Sequence, residues 1–128
     1  MLINLINLTP HPIRVYSPDS PDRVDPASHD PIRVVEPSTD HKPARIREIQ
    51  RDAAWDEPIV IHGVPVDYVE YTSLIEPLPE PDGQTWYVVP LIVALSQGAA
   101  RTDLLVPYHE VRNLDGTIIG CRGFARPV

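Results

Sequence analysis

Sixteen prolines among 128 residues, against a usual share of about 5%, restrict this chain more than any other feature. Each fixes φ near the helical value and removes a backbone donor, so long helices and central strands are excluded wherever one falls. Eight lie between Pro10 and Pro43, which places irregular structure in the first third. There, residues 17–30 read Ser-Pro-Asp-Ser-Pro-Asp-Arg-Val-Asp-Pro-Ala-Ser-His-Asp and offer almost nothing to bury. A mobile, proline-rich surface loop around residues 17–43 is the expectation.

Around the prolines the pattern is mainly that of strands. Residues 2–8 and 11–16 read as strands separated by a kink at Pro10 and Pro12, because a residue without an N–H suits an edge, a bulge or a strand start. Residues 32–35 form a short strand candidate, and residues 44–51 are read as a strand rather than a helix. β-Branched and aromatic residues on both sides of Gly63 predict two further strands over 58–62 and 64–71. Residues 76–83 alternate proline with other residues and predict an extended connector.

The clearest unit is 86–128. A strand at 86–89 leads into Pro90, which suits a first helical turn, and Gly98 suits the left-handed position beyond the helix end. Between them the helix is apolar all round, which predicts burial on several sides. A strand at 104–106 follows, then a hairpin signal at Asp115-Gly116 between strands 110–112 and 118–122. The chain therefore reads as α+β: a β-rich single domain over residues 1–128, mostly antiparallel, with one short buried helix near residues 90–97. Residues 86–128 are expected to build the core.

Eleven basic against 18 acidic residues give a net charge of −7, which repels a phosphate backbone and argues against non-specific nucleic-acid binding. Cys121 is the only cysteine, so neither an internal disulfide nor a cysteine-based zinc site can form. The first eight residues lack a basic leader and interrupt their apolar run with asparagines, unlike a signal peptide. The longest apolar run is too short to span a bilayer. A cytoplasmic protein without membrane association is expected.

The residues that carry chemistry are scattered. The histidines at 11, 29, 41, 62 and 109 show no metal-binding spacing, and Ser96 and Cys121 have no base beside them in sequence. No nucleotide-binding glycine motif is present, and no cofactor is expected. Ten of the eleven cations are arginine, the better residue for two-pronged recognition of an anion. Arg14, Arg101 and Arg122, with His11 and Asp103, stand where strands begin or end and are the candidate ligand-binding set.

The opening Asn7-Leu8-Thr9-Pro10-His11-Pro12-Ile13, with Thr102-Asp103-Leu104-Leu105-Val106-Pro107 and Gly116-Thr117-Ile118-Ile119-Gly120-Cys121-Arg122-Gly123-Phe124, resembles short uncharacterised proteins of actinobacteria and their tailed phages. The resemblance covers both ends and residues 64–81, and departs over 17–43. It implies a phage or prophage setting, but no catalytic residues. The expected function is a non-enzymatic, phage-type binding protein that engages a host protein or sequesters a small anionic, nucleotide-like ligand. One alternative is a small enzyme on a phosphorylated or nucleotide substrate, with His11 or His109 as acid or base. The other is a structural role in a virion or assembly, and the edge strands and apolar helix also allow a homo-oligomer.

Overall fold

A computed structural model describes residues 4–51 and 59–128. Ten strands and one short helix follow in the order β1 (Asn4–Asn7), β2 (Ile13–Val15), β3 (Arg33–Val35), β4 (Ile46–Arg51), β5 (Ile59–Ile61), β6 (Val64–Val66), β7 (Tyr68–Leu74), β8 (Thr85–Val88), α1 (Leu91–Gln97), β9 (Leu104–Arg112) and β10 (Ile118–Ala125), with a 3-10 turn at Gly98–Ala100. The strand expected from residue 2 begins, and the one expected from Pro58 starts, at residues outside the described set. The described residues are thus β-rich, with one short helix.

Six strands form one sheet in the order β1-β8-β9-β10-β2-β3, while β4 with β7 and β5 with β6 form separate two-stranded ladders. Antiparallel pairings predominate, yet β1–β8, β8–β9 and β10–β2 run parallel. The parallel β8–β9 pair follows from its connection. A parallel neighbour needs a crossover of a dozen or more residues, and residues 89–103 with α1 supply it. Strand β8 reads Thr-Trp-Tyr-Val with Thr85, Tyr87 and Val88 buried, as expected of a strand covered on both faces.

The sheet curls until its two edges touch. Asn7 at the end of β1 bridges Pro37 just past β3, and the Ser38 N–H donates to the Asn7 carbonyl at 2.8 Å. Inside the curl, all six strands contribute to one apolar cluster: Ile13, Val35, Val88 and Cys121, with Leu5 and Leu105 packed against it. A second cluster lies on the outer face of β8 and β9 under α1, and includes Leu8, Ala44, Leu78, Tyr87, Val93 and Leu104. The core therefore draws on both ends of the chain, not on residues 86–128 alone. Leu8, Ile13 and Val35 become core because the N-terminal strands close the sheet.

One expectation needs correction. Helix α1 occupies the expected residues, and Gly98 has φ +51°, but only Val93 and Ala94 of α1 are buried. Leu91, Ile92 and Leu95 face outward, 55%, 40% and 61% exposed, because the sheet covers one side of the helix and, among the described residues, no element covers the other. On either side of β3, residues 17–32 and 36–43 form no strand or helix, and the first of these segments meets the sheet at residue 24. Val24 is buried with Tyr16 and Val111, and its N–H donates to the Arg112 carbonyl at 2.9 Å. Where β2 runs into β10, a side chain at Gly120 would collide with the Arg14 carbonyl oxygen and the Tyr16 ring, so glycine is required there.

Candidate functional site

The motif Asn-Leu-Thr-Pro-His closes the fold. The buried Asn7 amide donates to the His11 carbonyl at 2.8 Å and the Val35 carbonyl at 3.0 Å. Its oxygen accepts from the Thr9 N–H at 2.8 Å and the Thr9 hydroxyl at 2.7 Å. Both donors and both acceptor positions of the amide are used, which a buried amide requires. His11 contributes its carbonyl to this knot and is itself exposed.

Arg101 and Asp103 are brought together as a two-pronged ion pair, with Nε and Nη2 each 2.9 Å from a carboxylate oxygen. Nη2 also donates to the Pro79 carbonyl at 2.8 Å, and both side chains are mostly buried. The hydrogen bonds that Arg101 donates to Asp103 hold its pKa above its ordinary value. This unit ties the proline-rich connector to the start of β9. Its guanidinium is occupied, and its arrangement is that of a structural clamp.

Arg122 lies elsewhere, on β10, and donates to the Ser20 carbonyl at 2.9 Å and to Asp22 at 2.6 Å. It lines a cleft of about 650 Å³ with Asp22, Arg23, Tyr108, His109, Glu110 and Arg112. Neither Arg14, exposed on β2, nor Arg101 lines that cleft. The arginines that meet Arg122 are instead Arg23 and Arg112. Sequence reasoning passed over these two, and the signal was weak: Arg23 sits in the acidic loop and Arg112 beside the hairpin turn.

Local geometry explains how they converge. Residue 23 bridges residue 112 in parallel, and both side chains reach the 113–117 turn: Arg112 donates to the Gly116 carbonyl at 2.7 Å, and Arg23 lies near Leu114. Arg112 also pairs with Glu110 at 3.0 Å. His109 has φ +58°, a left-handed conformation that costs a non-glycine residue about 1–2 kcal/mol. It breaks the in–out alternation of β9, so residues 107–110 are all exposed, and its ring meets Tyr108 edge-on at 4.3 Å. Backbone strain of this kind persists where the surroundings over-determine it, and it clusters at binding sites.

The remaining candidates have plain structural places. Cys121 is buried inside the curled sheet, and burial pushes its thiol pKa up, which disfavours the reactive thiolate. Ser96 donates back to the Val93 carbonyl within α1 at 2.8 Å. Among the described residues, no three His, Cys, Asp or Glu side chains cluster as metal ligands would, and no helix is long and apolar enough to cross a membrane.

A second cleft, about 710 Å³, separates the β4–β7 ribbon from α1, with Pro10, Ala44, Ile46, Ile75, Ile92 and Val93 among its walls. The ribbon is anchored at its base, where Ile46 and Leu74 pack on the outer core cluster. Compared with models of protein families, with curated proteins and with solved structures, the chain matches none.

Proposed function

We propose that the chain is a non-enzymatic, phage-type binding protein that holds a small anionic ligand in the cleft beside β9 and β10. The observation that carries this reading is the meeting of Arg23, Arg112 and Arg122 at one cleft of a chain with net charge −7. Planar guanidinium groups pair with phosphate or carboxylate oxygens two at a time. The carboxylates already there, Asp22 and Glu110, are 84% and 56% exposed and are solvated partners that an incoming anion can replace. The volume falls within the roughly 300–1,000 Å³ of small-molecule sites, and Tyr108 and His109 present aromatic rings beside the cations. Together these favour a phosphorylated ligand with a flat ring, the nucleotide class.

Thermal unfolding with a panel of inorganic phosphate, nucleotides and dicarboxylates tests the reading, since a ligand of the folded state raises Tm. A nucleotide is expected to give the largest rise. Arg23→Gln, at an exposed position, is expected to keep the ligand-free Tm and weaken binding about tenfold, or ~1.4 kcal/mol. No shift with any member of the panel removes the proposal. His109 in the same cleft favours one second reading, an enzyme on a phosphorylated substrate with His109 as acid or base. Turnover abolished by His109→Gln selects it.

A further inference from the structure

The hairpin of β5 and β6 is the least protected apolar structure in the described chain. Val60, Ile61, Val64 and Val66 are 58%, 54%, 60% and 39% exposed, and residues 59–66 carry no Asp, Glu, Lys or Arg. The hairpin shares no ladder with the six-stranded sheet. Isolated two-stranded hairpins are marginal in water, and uncharged strand edges invite pairing with another chain. The hairpin continues through Asp67 into the β4–β7 ribbon, and at the base of that ribbon lies the notch beside α1, with the exposed Tyr71, Ile75 and Ile92 among its walls.

We propose that two copies of this chain associate by exchanging these hairpins, the β5–β6 tip of each seated in the apolar notch of the other. Size supports a second copy as the occupant. The seven apolar residues of tip and notch, each about half exposed, offer on the order of 600 Å² per copy, the share of one partner at the lower end of specific interfaces. Charge supports it as well. Two bodies of −7 repel, but the tip is uncharged, and the notch lines two cations, Lys42 and Arg45, with two carboxylates, Glu48 and Glu76. Reciprocal exchange also closes about a two-fold axis, so every copy has both its tip and its notch covered and no open-ended filament results.

The test is sedimentation of the full chain over a wide concentration range, with Val64→Asp altering the tip and Ile92→Asp altering the notch. The wild-type protein is expected to be a dimer and each variant a monomer. An equimolar mixture of the two is expected to form a heterodimer, because the intact notch of V64D accepts the intact tip of I92D. Both positions are exposed, and circular dichroism checks each fold; a variant that loses its spectrum is replaced by the serine substitution. A wild-type monomer at every concentration, a dimer that survives both substitutions, or a mixture that stays monomeric overturns the proposal. The proposal is independent of the arginine cleft, and ligand shifts measured on monomeric V64D keep the two apart.

Discussion

The curled sheet and the ribbon are built from the same residue types, yet they stand at opposite ends of solvent protection. In the sheet, Val88, Val111 and Cys121 are fully buried, and among the described residues no buried side-chain nitrogen or oxygen lacks a partner. In the ribbon, valines and isoleucines of similar strand propensity lie largely in water. The difference is one of neighbours. Strands β8 and β9 have a strand on each side and α1 over one face, whereas among the described residues β5 pairs with β6 alone. Burial here follows from where a strand sits, and propensity alone leaves it open.

Matched truncations give the largest expected contrast. Leu8→Ala in the outer core cluster is expected to destabilise the protein by about 3–4 kcal/mol, since it removes transfer energy and leaves a cavity. Ile61→Ala on the ribbon is expected to stay within about 0.5 kcal/mol at low protein concentration. Urea unfolding of both checks the contrast. Equal costs would show that the tip is covered within a single copy.

The seam between β1 and β3 gives the next effect. Asn7→Leu keeps the size of the side chain but strands the Val35 and His11 carbonyls and the Thr9 N–H. A loss of about 2–3 kcal/mol is expected, with hydrogen exchange accelerating along β1 and β3 while the ribbon is unchanged. A variant as stable as the parent would mean that the sheet does not depend on this closure.

Acid provides the smallest effect. Asp82, in the turn before β8, accepts from the Gln84 and Thr85 N–H groups and from the Thr85 hydroxyl, each at 2.8 Å. The backbone bond from Gln84 first, then the Thr85 hydroxyl, lower its pKa from the ordinary 3.8. A lowered folded-state pKa stabilises above the unfolded value and is lost as pH falls through the folded one. The Tm difference between the parent and Asp82→Ala is therefore expected to be small and constant near neutrality, and to shrink only below pH 3.8. A difference that grew on acidification would contradict the assignment.

Much of this was legible in the residues because it is local. The β-branched runs around Gly63, the Pro90 and Gly98 bounds of α1 and the Asp115-Gly116 turn depend on a few adjacent side chains and their preferred φ values. The candidate site was legible only in part. Arg122 was singled out, but its companions are Arg23, eighty-nine positions before Arg112, and Arg112 itself. Nothing near Arg23 in the chain announces that residues 22–24 lie against the end of β9.

By itself, the sequence determined the elements: short strands, because prolines and β-branched residues allow little else, and one helix between Pro90 and Gly98. Tertiary structure alone decided that β8 and β9 run parallel, that Asn7 joins the two sheet edges, that α1 leaves one side in water, and which arginines share a cleft. The physical reason is range. Dihedral preferences act between neighbours, whereas strand order, burial and the meeting of charges arise from contacts between residues far apart in the chain, formed only once the sheet has curled.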